Sequence, residues 1–479
     1  MSILDKPFIK LFRTPNSGYF YDVGKNEIIR VPDNVFQHLS NVLDGNSILN
    51  QPNDEDTRQL IEAITELGYL SSKHPNKIQH PALATVPLFL TRCIDRVTLQ
   101  LTQNCNFRCK YCIYSENKNL KQRSHSHKSM SFETAKKAIM FYRDHAVDSE
   151  VFNIGLYGGE PLLEWDLLKE IVLFAESELS GKLLTFSLTT NASLLSEPIA
   201  QFLEEHGISV LVSLDGVKEI NDANRVYQNG SGTTDSVLST IQMIREKHPN
   251  LYDKLRISSV IDPNIDTSYF GQYPCELDAI SLSNFTVAIE DNTEHDVAIP
   301  FDLYQSMESE VFTAYLAKFG LYSLRPSPFG YSHVESIYDN MKNLKPTSGV
   351  QEVMAPGGPC VPGKSRLFVA ADGKLYPCER VNETDAYCIG DLDNGFDYEK
   401  AKRILNIGSI TEDLCKNCWA IRNCTICGKY FDYSHNNAAS EKSKFCDSVR
   451  AAVIRKMKAM ILISESRSFY KDIYPDITC

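Results

Sequence analysis

The stretch RVTLQLTQNCNFRCKYC occupies residues 96–112. Its first half is rich in apolar and β-branched residues and predicts a strand over 96–101. Cys105, Cys109 and Cys112 follow at a CX3CX2C spacing in the loop after that strand. Three clustered thiols suit an iron–sulfur cube, whose usual ligands are cysteine thiolates. Three ligands for four irons leave one iron with an open position, the mark of a reactive metal. Zinc completed by ligands from elsewhere is the competing reading, but zinc sites more often show paired cysteine or histidine spacings.

Outward from this stretch the chain alternates between strand and helix patterns. Strands are expected at 151–156, 183–188, 209–214, 256–261 and 285–289. Helices are expected near 131–145, 165–179, 196–206 and 234–248, each opening at or near a capping residue. That rhythm implies parallel βαβ units with right-handed crossovers. Six strands are fewer than the eight of a closed barrel, so the expected class is α/β, a partial (β/α)6 barrel open on one side. A flat doubly wound sheet fits the same pattern. In a barrel, the loop after a strand lies on the catalytic face, which is where the three cysteines fall.

Residues 1–75 form a separate pattern. Strands at 18–23 and 27–31 flank a turn at 24–26, and helices follow at 33–43 and 56–66. In the second helix Leu60, Ile61, Ile64 and Leu67 predict one buried stripe. Residues 76–93 serve as a linker, and 94–350 hold the barrel and a bridging region that is helical near 301–318. Gly and Pro at 355–359 open a cysteine-rich domain over 351–450, with eight cysteines between Cys360 and Cys446. Residues 451–479 are a helix and tail whose basic face is read as solvated surface.

Composition narrows the function. The chain has 479 residues, 43% hydrophobic and 23% charged, as expected for a folded protein and not for a disordered one. A net charge of −12 disfavours nucleic acid as a partner. The first residues lack the pattern of a signal peptide and no run reaches the length of a membrane span, so a cytoplasmic protein without a membrane partner is expected. Fourteen cysteines in a reducing compartment argue for metal or redox chemistry over disulfides. Cys93, Cys275 and Cys479 stand alone and are read as packing or surface cysteines, and His125 and His127 as part of a polar loop.

With Tyr111 as the aromatic residue before the last cysteine, CX3CX2C resembles the signature of the radical S-adenosylmethionine (SAM) superfamily. Gly158-Gly159-Glu160-Pro161, at the end of the second barrel strand, resembles the family's GGEP motif. That likeness implies that Gly158, Gly159 and Glu160 hold the amino group of the cofactor's methionine. Asn191 falls at a TNG-type strand end, with Ala192 where glycine is usual. Ser213 opens an SLDG strand end, which implies a contact to the ribose, and Arg225 falls where relatives place an arginine near the cofactor carboxylate. The implied chemistry is reductive cleavage of SAM at a [4Fe–4S] cluster held by Cys105, Cys109 and Cys112. The resulting 5′-deoxyadenosyl radical takes a hydrogen from the substrate, and an external low-potential donor such as flavodoxin or ferredoxin supplies the electron.

The later cysteines, Cys360, Cys378, Cys415, Cys418, Cys424, Cys427 and Cys446, resemble the SPASM extension of peptide-modifying radical enzymes, which holds two further [4Fe–4S] clusters. The chain departs from that pattern in lacking one early cysteine and in an X2 spacing between Cys424 and Cys427 where X3 is common. The resemblance assigns Cys415, Cys418, Cys424 and Cys446 to a distal cluster and Cys360, Cys378 and Cys427 to a proximal one. Its eighth ligand is either an open position for a substrate thiolate or Cys388. Residues 1–75 resemble the winged-helix-like module with which peptide maturases bind a precursor's leader. Together these implied parts point to a maturase that joins cysteine sulfur to carbon in a ribosomally made precursor peptide. Carbon–carbon or carbon–oxygen crosslinking, oxidation of a Cys or Ser as in sulfatase maturation, and a non-enzymatic metal-binding or electron-transfer role remain as alternatives.

Overall fold

Apolar alternation near the amino terminus builds an antiparallel sheet of β1 (Ile9–Arg13), β2 (Gly18–Asp22) and β3 (Glu27–Val31), in that order. The sequence pattern anticipates β2 and β3 but not β1. Asn26, at φ 57°, turns the chain between β2 and β3; Asn is among the few side chains that enter this region readily. Helix α1 (Asp33–Asp44) stops at Gly45, whose φ is 82°. Helix α2 (Glu55–Glu66) is capped by the Asp54 carboxylate, which accepts from the Thr57 amide. Ile9, Phe20, Val31, Val35, Leu39, Ile61 and Leu70 meet in one core. The stripe expected on α2 is narrower than its sequence suggests: Ile61 is buried, but Leu60 is 39% and Leu67 68% exposed. Adjacent helical positions point about 100° apart, so Leu60 turns away from the core that takes Ile61.

The chain continues through β4 (Lys77–Ile78) and α3 (Val86–Arg92) into the alternating region. That region comprises β5 (Val97–Thr102), α4 (Phe132–His145), β6 (Val151–Gly158), α5 (Trp165–Glu178), β7 (Leu183–Thr190), α6 (Glu197–Glu205) and β8 (Ser209–Ser213). It closes with α7 (Lys218–Asn224), α8 (Thr234–Lys247), α9 (Pro249–Asp253), β9 (Leu255–Ile261) and β10 (Ser281–Val287). Every residue of β5 is buried, as a central parallel strand covered on both faces should be. Ser131 caps α4 by accepting from the Thr134 amide, as its position predicts.

Then come α10 (Phe301–Lys318), α11 (Pro328–Asn343), β11 (Val353–Met354), β12 (Leu367–Val369), β13 (Lys374–Tyr376), β14 (Gly390–Asp391) and β15 (Gly395–Phe396). The chain ends in α12 (Tyr398–Leu405), α13 (Glu412–Lys416), α14 (Ala438–Lys444) and α15 (Cys446–Ile473). The large sheet is open, with strand order β10-β9-β8-β7-β6-β5-β12-β13-β14-β15. From β10 to β12 all neighbours are parallel, and β13 to β15 add antiparallel pairs. The six expected barrel strands therefore stand side by side in chain order. β12, three residues long, is too short to show a period in the sequence, yet it adds to β5 on the side away from β6.

The computed structural model describes residues 6–112, 114, 125–262, 264, 266–272, 281–287, 300–323, 326–430 and 437–473, with only the backbone of 281–287 and 467–473 considered. Residues 288–289 of the last expected barrel strand, Cys275 and Cys479 lie outside them. Two compact units emerge, one of residues 1–84, 335–359 and 405–479, the other of residues 85–334 and 360–404. Among the described residues, no helix is long and apolar enough to cross a membrane.

Candidate functional site

The turn after β5 carries Cys105, Cys109 and Cys112. The Phe107 amide donates to the Cys105 sulfur at 3.3 Å and the Tyr114 amide to the Cys112 sulfur at 3.4 Å. The loop is also pinned at its back, where the Arg108 amide donates to the Val226 carbonyl at 2.8 Å and the Lys110 amide to the Asn224 carbonyl at 3.1 Å. Burial pushes the Cys105 thiol up to about 12 and the Cys109 thiol up to about 11, with the Arg225 charge opposing the second shift. Cys109 and Cys112 are both close enough to Cys105 for their charges to act on it. As bare thiols Cys105 and Cys109 stay protonated at neutral pH, whereas a metal displaces the proton. Amides directed at two of the sulfurs and a soft donor set fit a thiolate-held iron–sulfur cluster.

The strand ends beside this loop come from β6, β7 and β8. Gly158 has φ 151°, and a Cβ there would meet the Thr102 carbonyl oxygen at 2.3 Å; at Gly159 it would meet that of Asn104 at 2.1 Å. The glycine pair is therefore required by the backbone at the end of β5 and in the turn that follows it. The Gly159 amide donates to Thr102 and the Glu160 amide to Asn104, both at 2.8 Å. Glu160 is 1% exposed, and its carboxylate accepts from the Thr190 hydroxyl at 2.7 Å, the Asn191 amide at 2.7 Å and the Leu162 amide at 3.0 Å. Burial raises its pKa while these donors pull it down.

Asn191 donates to the Asn106 side chain at 2.8 Å and approaches the Cys105 sulfur at 3.9 Å. Ser193 joins both, donating to Asn191 at 2.7 Å and accepting from Asn106 at 2.9 Å. Ala192, which follows Asn191 at the end of β7, sits at φ 62° and is fully buried. Ser213 ends β8, half-buried, and Asp215 follows at 5% exposure. Arg225 is 7% exposed. Burial opposes its charge, while its interactions with Tyr111, Cys109 and Asp215 raise its pKa above the usual arginine value. Asn106, Ser193 and Asp215 were given no role by the sequence reading; side-chain bonds between separate strand ends leave no local spacing to detect.

A second group of thiols lies in the unit that contains residues 405–479. Cys415 and Cys418 are both near enough to Cys424 and Cys446 for their charges to be felt there. These are the four residues that the family likeness assigns to one cluster. Burial pushes Cys424 up to about 11 and raises Cys446. Lys442, which the cysteine spacing does not reveal, is 1% exposed and donates to the Cys415 sulfur at 3.5 Å. Cys427 belongs to the same unit, whereas Cys360, Cys378 and Cys388 belong to the other. The Cys388 thiol donates to the Gly390 carbonyl at 3.3 Å. His125 is lowered to about 4, by burial first and then by Arg108.

Comparison with known proteins places this site in context. Residues 99–258 match the radical SAM superfamily. An uncharacterized protein of Methanocaldococcus jannaschii is 37% identical over 152 residues, 32% of this chain; the match spans about half (49%) of that relative's length. A cysteine-type anaerobic sulfatase-maturating enzyme of Clostridium novyi is 22% identical over 397 residues, 77% of this chain and 96% of that enzyme. The solved structure of native anSMEcpe with bound AdoMet shares the fold at TM-score 0.58 and 19% identity, covering 80% of this chain and 100% of that one. The same protein with AdoMet and the Cp18Cys peptide gives a TM-score of 0.56 at 19% identity, covering 77% and 99%. The parallel strands, the three-cysteine loop at their carboxyl ends and the matched span agree: residues 99–258 of this chain are a radical SAM domain.

Proposed function

We propose that the chain is a radical SAM maturase that joins cysteine sulfur to carbon in a ribosomally made precursor peptide. The observation that carries this reading is the coexistence of a three-cysteine loop on the radical SAM domain with a second set of cysteines, in which Cys415 and Cys418 lie near enough to Cys424 and to Cys446 for their charges to act there. A relative that matures a sulfatase and a fold neighbour solved with a bound peptide support a peptide or protein substrate.

When bound, the cluster on Cys105, Cys109 and Cys112 and its SAM supply a radical able to take a hydrogen atom, and two auxiliary clusters supply a route out for a second electron. The chain's own residues do the positioning. Gly158 and Gly159 seat the strand end against the cysteine loop, and Glu160, fixed by three donors, anchors that end beside Asn191. Ser213, Tyr111 and Arg225 complete the assigned cofactor contacts. The N-terminal sheet has β1 and β3 at its edges, and an edge strand can accept a leader peptide as an added strand. We place the protein in the cytoplasm, with flavodoxin or ferredoxin as electron donor.

A second reading, oxidation of a single cysteine or serine, is favoured by the nearly full-length match to the sulfatase-maturating enzyme. Anaerobic reconstitution with a cysteine-containing peptide separates the two. Thioether formation leaves a peptide that has lost two hydrogens and kept its sulfur; oxidation of a cysteine in the sulfatase manner leaves one without that sulfur. Replacing Cys105, Cys109 and Cys112 with Ala abolishes 5′-deoxyadenosine formation and leaves auxiliary iron. Cleavage that survives these changes overturns the assignment of the radical cluster.

A further inference from the structure

Lysine has three donors and no acceptor, and it is almost never fully buried unless paired. Lys442, on α14, is 1% exposed. Its ammonium donates to the Cys415 sulfur at 3.5 Å and to the Thr411 hydroxyl at 2.5 Å. That hydroxyl lies 3.4 Å from the same sulfur, so cation, hydroxyl and thiol close a small triangle. Among the described residues no carboxylate forms an ion pair with Lys442. Its nearby partners of possible negative charge are cysteines, since Cys424 and Cys446 also feel its charge. Arg450, in the first turns of α15, is the second cation, interacting with Cys418 and held by Asp447 at 2.5 Å.

We propose that Lys442 is the countercharge of an iron–sulfur site formed by Cys415, Cys418, Cys424 and Cys446, and that it holds the reduction potential of that site up. The proposal rests on the auxiliary-cluster reading above. A resting cube held by four thiolates carries a net charge of about −2, and each added electron makes it more negative; the potential follows net charge, hydrogen bonds to sulfur and exposure. A buried cation in contact with one ligand sulfur stabilises the reduced form more than the oxidised one, because the attraction grows with the charge it faces in a medium of low dielectric. The step concerned is one electron entering the cluster from an external reductant. Arg450 is itself paired with Asp447, so Lys442 is the cation that no carboxylate among the described residues offsets.

The test uses the full chain with Cys105, Cys109 and Cys112 replaced by Ala, so that only auxiliary clusters remain. After anaerobic reconstitution, iron is counted and the clusters are titrated with titanium(III) citrate while their paramagnetic resonance is followed. The distal signal is the one lost in Cys415→Ala and Cys418→Ala. Lys442→Met is expected to keep its iron and to weaken reduction of the distal site at least about tenfold, a shift of about 59 mV for one electron. Lys442→Arg, which keeps the charge, should stay close to the parent. An iron-loaded Lys442→Met protein with an unmoved midpoint overturns the countercharge assignment alone. Should Lys442→Met lose its iron, Lys442→Gln, which keeps a polar donor and removes the charge, reads the same contact: a downward shift supports the proposal and an unmoved midpoint overturns it. A parent whose four-cysteine site holds zinc or no metal overturns the auxiliary-cluster reading and this proposal together.

Discussion

Arg225 donates a hydrogen bond to the Tyr111 hydroxyl at 2.9 Å, and that same hydroxyl is bonded to the Asp215 carboxylate. The aromatic residue of the cysteine signature is thus tied to the turn after β8 and to a residue 114 positions later in the chain. Tyr111 therefore fastens the loop of Cys109 and Cys112 to a buried arginine and a buried aspartate.

Removing this link should be felt in stability. Tyr111→Phe deletes the hydroxyl that bridges a buried guanidinium and a buried carboxylate, and hydrogen bonds to charged groups contribute about 1.5–3 kcal/mol. A loss of about that size in unfolding free energy, followed by denaturant titration, is expected. An unchanged midpoint would mean that Arg225 and Asp215 satisfy each other without the tyrosine.

Gly159→Ala should damage the radical site while sparing the second set of cysteines. The new methyl would lie 2.1 Å from the Asn104 carbonyl oxygen, which is backbone and cannot swing aside. Overpacking of this kind costs about 1–3 kcal/mol and moves the chain that it strikes. Iron bound at Cys105, Cys109 and Cys112 and SAM cleavage should both fall, with auxiliary iron retained; full SAM cleavage would show that the loop tolerates displacement.

Ala192→Gly should stabilise the protein. A left-handed conformation costs a residue bearing a Cβ about 1–2 kcal/mol, while the added freedom of glycine in the unfolded chain returns about 0.5–1 kcal/mol. A net gain of about 0.5–1 kcal/mol is expected at the buried φ 62° position, visible as a raised thermal midpoint. A lowered midpoint would show that the packing of the methyl outweighs the backbone strain.

Acid sensitivity should reside in part in Asp222. Burial raises its pKa, but the side chain and amide of Thr234, the amide of Thr233 and Lys218 outweigh burial and hold it below the usual carboxylate range. Asp222 accepts from those two amides at 2.8 and 2.9 Å and so ties down the start of α8. Its folded pKa lies below its unfolded value of about 3.9, so its stabilisation is complete above that pH and is lost as pH falls through the folded value. In the metal-free chain, the stability difference between wild type and Asp222→Asn should be largest near neutral pH and shrink below about pH 4. A difference that does not change with pH would remove Asp222 from the acid response.

Much of the radical domain is legible along the chain because its signals are local. The four helices expected in the alternating region lie within a residue or so of their expected ends, since capping residues such as Ser131 act within one turn, whereas α7 and α9 are not anticipated. β12 and the antiparallel strands after it are not anticipated, because strands of two or three residues carry too little alternation to stand out; β1, five residues long like the anticipated β2 and β3, is missed as well. Leu60 and Leu67 show the opposite error, apolar residues in a helical pattern that the fold leaves at the surface.

The sequence by itself determined the identities and spacing of the cysteines, the strand–helix rhythm and the glycine pair, because each is written in neighbouring residues. Only the tertiary structure decided that Tyr111 links Arg225 to Asp215, that Gly158 and Gly159 are required by the backbone at the end of β5 and in the turn after it, and that Lys442 lies against Cys415. Those relations join residues tens of positions apart, where packing and charge act through space and leave no period along the chain.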